Sequence, residues 1–172
     1  DLGATPRTST SVLPEQRREG AGTPLRVVDQ DGPLTAVRSL GLALGSPEAC
    51  ALRTDEVRCW RATAPREEDG CVDTEVRRWP GLERVEVGPS LLCGLVRGAD
   101  GRRRIECARG KDPPTPATWP AKAPEPVHLS LGTLHLCALD SAGAVACWRI
   151  GVEPRWWHKS PQTITGLGGP AV

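Results

Sequence analysis

The sequence predicts an all-β repeat protein, and three observations carry that prediction. A cysteine-bounded segment recurs three times along the 172 residues. Every apolar run is of strand length, shorter than the roughly 10–12 residues a helix would want. Seventeen prolines punctuate the chain, sitting mostly between those runs, where they disfavour helices and favour turns.

The repeat is clearest at its cysteines. The first copy runs Cys50-Ala51-Leu52-Arg53-Thr54-Asp55-Glu56-Val57-Arg58-Cys59-Trp60. The third runs Cys137-Ala138-Leu139-Asp140-Ser141-Ala142-Gly143-Ala144-Val145-Ala146-Cys147-Trp148. A looser middle copy has Cys93-Gly94-Leu95, a polar insertion, then Ile105-Glu106-Cys107. The leading cysteines at 50, 93 and 137 are 43 and 44 residues apart. A fixed period of that size marks a repeat architecture in which each unit buries its apolar face against a neighbour.

Taken in order, residues 1–24 are rich in Thr, Ser, Pro, Gly and Arg and have no apolar period. They are expected to form a flexible arm or linker. The repeat domain is expected over 25–167, with repeats at about 34–62, 82–110 and 125–151, a partial unit at 161–167, and a tail at 168–172. Upstream of the cysteines, Ala36–Leu40, Leu82–Val87 and Val127–Leu131 read as strands, closed by Gly41, Gly88 and Gly132. One unit is thus an alternating strand, a Gly turn, a strand through Cys-x-Leu, a turn, and a strand ending in Val/Ile-x-Cys. A variable Pro-rich connection leads to the next. Pro161–Leu167 looks like the opening of a fourth unit.

The pattern Val-x-x-x-Leu-Gly, then His-x-Cys-Ala-Leu, then Gly-x-Val-x-Cys-Trp is best kept from Val127 to Trp148. It resembles the repeat of the regulator-of-chromosome-condensation family, and in particular its cysteine-rich bacterial exported branch, over about residues 34–151. The family's Trp-Gly after the second cysteine is here Trp60-Arg61 and Trp148-Arg149, and its Gly-Gln-Leu-Gly stretch is gone. The resemblance implies a partial β-propeller: about three four-stranded blades plus partial strands at each end. Such propellers usually close with about seven blades, so three would leave two raw ends. A piece of a longer protein is the favoured resolution, and closure by a second copy the alternative.

Composition bounds the function. The net charge of +1 argues against a pull toward nucleic acid or anionic membrane. No apolar run approaches the ~18 residues needed to cross a bilayer, so no membrane insertion is expected. All six aromatic residues are Trp, Phe, Tyr and Met are absent, and three Lys stand against nineteen Arg. The codons of the scarce residues are AT-rich, so a GC-rich bacterial genome accounts for the skew. Seven cysteines point to an oxidising compartment, hence a secreted or cell-surface protein.

The two cysteines of each unit flank a hairpin, and antiparallel pairing can set them opposite each other at about 4.5–5.5 Å between Cα atoms. The expected disulfides are Cys50–Cys59, Cys93–Cys107 and Cys137–Cys147, one per blade, each stabilising by roughly 3 kcal/mol in the chain-entropy model. Zinc would want Cys-x2–4-Cys knuckles, and no two cysteines are that close. Cys71, in the acidic stretch Glu67–Asp73, is left as a free or intermolecular thiol.

Nothing in the pattern asks for a cofactor or a metal. A hydrolase would have to recruit His135, Asp140 and Ser141, but no Gly-x-Ser-x-Gly is present. The chain is therefore read as a non-enzyme. Candidate partner-binding residues are the basic run Arg102, Arg103 and Arg104 at the tip of the second hairpin, and the adjacent pair Trp156 and Trp157. Arg suits bidentate contact with acidic partners, and exposed Trp suits interface or sugar-stacking anchors. The leading function is a protein-binding module of an exported or cell-surface bacterial protein, recognising its partner through inter-strand loops. In the resembling family such binding serves nucleotide-exchange scaffolds on chromatin or secreted β-lactamase-inhibiting propellers. The alternatives are a glycan-binding module using exposed Trp, and a structural accessory domain of a larger surface protein. Self-association that completes the propeller is a further partner option.

Overall fold

The computed structural model describes residues 8–11, 28–29, 32–43, 48–61, 71–150 and 156–165. Among the described residues, fifteen strands carry the fold. They are β1 Thr8–Ser11, β2 Val28–Asp29, β3 Gly32–Pro33, β4 Val37–Leu42, β5 Glu48–Arg53, β6 Glu56–Arg61, β7 Cys71–Arg78 and β8 Leu82–Val87. After them come β9 Leu91–Arg97, β10 Arg103–Arg109, β11 Thr115–Pro116, β12 Pro126–Leu131, β13 His135–Asp140, β14 Val145–Arg149 and β15 Gln162–Ile164. Among the described residues the helical content is a single 3-10 turn, Trp156–His158.

Three antiparallel meanders repeat the same plan: β4-β5-β6-β7, β8-β9-β10-β11 and β12-β13-β14-β15. Each is a four-stranded blade. The first strand of every blade carries an irregularity at the same place, between Val37 and Ser39, Leu82 and Arg84, and Pro126 and His128. A bulge there strengthens the local twist. The hairpins are set by their cysteines, which stand directly opposite one another: Cys50 with Cys59, Cys93 with Cys107, Cys137 with Cys147. Each pair is disulfide-bonded, as the spacing predicts.

Turn chemistry closes the hairpins. At the β13–β14 tip, Asp140 Oδ1 accepts from the amides of Ala142 and Ala144, each at 2.9 Å. At the β9–β10 tip, Gly101 holds φ +77°, a left-handed turn that glycine enters without steric strain.

Two features extend the sequence reading. The fourth strand of each blade lies beyond the repeat as read from the cysteines. Cys71–Arg78 and Thr115–Pro116 close the first two blades, and Gln162–Ile164 pairs with β14. The segment 161–167, expected to open a new unit, thus supplies the outer strand of the third blade. The signal is hidden because all three outer strands follow the variable connections, and those of the second and third blades are only two and three residues long. Within the arm 1–24, Thr8–Ser11 adds a strand antiparallel to β7, making the first sheet seven-stranded in the order β3-β2-β1-β7-β6-β5-β4. This strand lies between β2 and β7, and its threonines suit a strand, as β-branched residues fit a pleated surface.

The core sits between successive blades. Between blades one and two, Leu52, Val57 and Trp79 pack with Val85, Val87, Val96 and Ala108. Between blades two and three, Cys93, Leu95, Ile105 and Cys107 pack with Leu129, Leu131, Ala138 and Trp148. The face that carries the disulfide therefore looks forward, and the face that carries the aliphatic pair of the inner strand looks back.

Candidate functional site

The arginine cluster lies at the tip of the β9–β10 hairpin, at one end of the middle blade. The turn itself is tightly bonded. Gly98 donates its N–H to Arg102 O at 2.8 Å, Gly101 N–H to Gly98 O at 2.9 Å, and Arg102 N–H to Asp100 Oδ1 at 3.0 Å. Such local bonds hold the loop without help from a partner.

Beneath the tip, one carboxylate gathers two cations. Glu83 on β8 accepts from Arg97 Nε at 2.6 Å and from Arg103 Nε at 2.7 Å. The hydrogen bond from Arg103 holds the Glu83 carboxyl below its ordinary range, against burial that pushes it up, with Arg97 adding to the lowering. Arg97 also donates to Gly101 O at 2.8 Å, which ties the turn to the same anchor. Arg104 turns the other way and pairs with Glu106 at 2.7 Å.

Arg102 stands apart. Its side chain is 78% exposed, and its Nε pairs loosely, at 3.7 Å, with Glu125 at the entry to blade three. All three arginines named from the sequence thus make ion pairs within the molecule, and that of Arg102 is the longest and the most exposed. The anchoring acids were not legible in the sequence. Glu83 and Glu125 lie about twenty positions from the arginines, and only the strand register brings them near.

The tryptophans divide. Trp157 is 4% exposed and joins the core between blades two and three, with its indole N–H donating to Thr115 Oγ1 at 3.1 Å. A side chain so buried offers no face to a partner, so the place of Trp157 among the binding candidates gives way to a packing task. The side chain of Trp156 lies outside the described residues. Trp148 is buried, donates its N–H to Lys159 O at 3.1 Å, and meets Trp119 with ring centroids 5.9 Å apart. Cys71 begins β7 opposite Ser11; its side chain lies outside the described residues.

The hydrolase candidates do not converge. His135 and Asp140 are five positions apart on β13, which sets them on opposite faces. Asp140 is already engaged with two backbone amides. Among the described residues, no three His, Cys, Asp or Glu side chains come together as metal ligands would. No described helix is long and apolar enough to cross a membrane.

No protein-family model matches the chain, and no curated protein matches it in sequence. Solved structures do share its fold. Hsv2 of K. marxianus aligns at a TM-score of 0.52 and 6% identity, over 70% of this chain and 34% of that one. Human WBSCR16 aligns at 0.50 and 14% identity, over 86% of this chain and 44% of that one. The chain is an arc of a β-propeller. Its blades have the architecture that the regulator-of-chromosome-condensation-like repeat pattern implies, one disulfide to each. Prp20p of Saccharomyces cerevisiae, described with its binding to Gsp1p and histones, aligns at 0.48 and 15% identity, over 83% of this chain and 48% of that one. The arc spans less than half the length of these structures, and at such identities the likeness is one of fold alone.

Proposed function

We propose that this arc is a non-catalytic protein-binding module of an exported or cell-surface bacterial protein, and that it recognises an acidic partner surface through its inter-strand loops. The observation that carries the reading is Arg102. Its guanidinium is 78% exposed and paired only at 3.7 Å with the exposed Glu125, on a turn whose neighbours, Arg97 and Arg103, are both clamped to Glu83 at 2.6 and 2.7 Å. A cation presented on a braced loop loses little conformational freedom when it binds, and the planar fork suits a carboxylate. Three disulfides suit an oxidising compartment, which supports export. The cysteine-rich exported branch that the sequence resembles fits that location. The glycan alternative leaned on Trp156 and Trp157, and the burial of Trp157 takes one of them away.

The test compares proteins captured by the wild-type chain, by Arg102→Glu, and by a control reversal at the exposed Lys122. A specific partner is retained by Lys122→Glu, lost with Arg102→Glu, and released by high salt, as screened charges require. An identical set of captured proteins with all three baits would sink the reading. The circular dichroism of Arg102→Glu must match the wild type, and the exposure of Arg102 predicts that it does.

A further inference from the structure

The two ends of the arc carry the two halves of a contact that the molecule already makes twice inside itself. Strand register sets the equivalence. Gly41, Glu86 and Ser130 each stand opposite the first cysteine of their blade. Leu40 therefore corresponds to Val85 and Leu129, and Leu42 to Val87 and Leu131. In blades two and three these four residues are at most 5% exposed, because each packs on the blade before it. In blade one, Leu40 is 58% and Leu42 68% exposed. Trp60, in the place that Trp148 holds in blade three, is half-buried where Trp148 is buried.

The opposite end mirrors this. The forward-facing set Cys50, Leu52 and Val57 is buried by blade two, and Cys93, Leu95 and Ile105 by blade three. Their equivalents Cys137, Leu139 and Val145 are only half-buried, with Ile164 exposed beside Val145. The fit is specific at one point. A Cβ on Gly88 would stand 3.1 Å from Leu131 Cδ2 of the next blade. At Gly132, which occupies the same turn as Gly88, nothing from another blade lies within 4 Å.

We propose that a second copy of this chain docks head to tail, seating its Leu40 and Leu42 on the Cys137–Cys147 face so that Leu42 covers Gly132 as Leu131 covers Gly88. The occupant is another copy because the receiving face is built to take a blade of this pattern, and because length agrees. The aligned part of one copy spans 44% of the WBSCR16 chain, so two copies supply about the length of that protein. A heterologous contact of this kind closes into a ring when its rotation permits and otherwise grows into a filament. The inference is independent of the acidic-partner reading, since it uses neither Arg102 nor the hairpin tips.

Sedimentation equilibrium of the oxidised chain tests it. The expected mass is twice 18.4 kDa, with Leu42→Arg and Gly132→Arg each monomeric over the concentrations at which the wild type pairs. Both variants should fold, since Leu42 is exposed and the space around Gly132 is open in a single copy. Circular dichroism checks that they do. The decisive arm mixes the two variants: one intact head then meets one intact tail, and a dimer with a single interface returns. A wild-type monomer overturns the proposal and hands the face to further blades of a longer chain. So does a dimer indifferent to Leu42→Arg, or a mixture that stays monomeric, which would mean a symmetric contact. Open polymers sensitive to both variants overturn closure by two copies.

Discussion

The indole N–H of Trp79 donates to Oε2 of Glu106 at 2.8 Å, joining the exit of the first blade to the third strand of the second. Both residues are buried, and Arg104 occupies the other carboxylate oxygen at 2.7 Å. The backbone of Trp79 is held as well, its N–H donating to Asp55 O at the tip of the β5–β6 hairpin. A buried donor that loses its acceptor keeps its full desolvation penalty. Glu106→Ala should therefore destabilise by about 1–3 kcal/mol, more than the mean worth of a hydrogen bond. Trp79→Phe removes the donor, and the double variant should lose less than the sum of the two. Urea denaturation of the four species measures the coupling; strict additivity would show that the bond contributes nothing of its own.

The three disulfides should differ in their resistance to reduction. Cys93 and Cys107 are both fully buried, enclosed by blades on either side. Cys137 and Cys147 are half-buried on the open forward face. Thiol–disulfide exchange needs access for the attacking thiolate, so Cys137–Cys147 should open first and Cys93–Cys107 last. Timed reduction followed by alkylation and peptide mass spectrometry gives the order. At concentrations where two copies pair, the Cys137–Cys147 lag should lengthen. The reverse order would mean that the third blade is covered by something other than this arrangement.

Gly94 is the tightest point in the middle blade. A Cβ there would collide with the Leu82 side chain and come within 2.9 Å of Arg84 O. The equivalent positions opposite the inner strand are Ala51 and Ala138, so every blade keeps a small residue here. Overpacking a filled site costs about 1–3 kcal/mol, and Gly94→Val should reach the upper part of that range. Adding Leu82→Ala to Gly94→Val should return some of the loss, because it removes the colliding atoms. Thermal unfolding of the single and double variants decides it. A neutral Gly94→Val would mean that β8 slides freely against β9.

What the sequence showed and what it hid divides along a physical line. The cysteine pairs were legible because a disulfided hairpin constrains spacing within one short stretch. Gly88 and Gly132 were legible as turns for the same local reason. The first copy misled at this level: Gly41 was aligned with Gly88, yet the register makes Ala43 the equivalent residue, its N–H bonding to Glu48 O as Gly88 N–H bonds to Leu91 O. A longer turn hides a slip that only cross-strand pairing reveals. Two-residue outer strands such as Thr115–Pro116 carry no period to detect. What fixes Trp157 in the core is not local either, since its partner Thr115 lies 42 positions earlier.

Glu83 ties the stability of the middle blade to pH. Its carboxylate is favoured in the folded protein by the hydrogen bond from Arg103 and, beyond that, by Arg97, and its folded pKa lies below the ordinary 4.5. The unfolded chain therefore takes up a proton at Glu83 at higher pH than the folded chain does. The contribution of Glu83 is complete above the ordinary glutamate range and is lost as pH falls from there through the lowered folded value. Its side chain and both partners are partly exposed, so screening limits the effect to about 1 kcal/mol or less. Glu83→Gln should lower stability by that amount at neutral pH. The gap between variant and wild type should close as the solution is taken below about pH 4. Paired urea titrations at neutral and acid pH measure the difference directly, with the other carboxylates cancelling between the two proteins. A gap that stays constant across that window would show that Glu83 acts through packing and not through its charge.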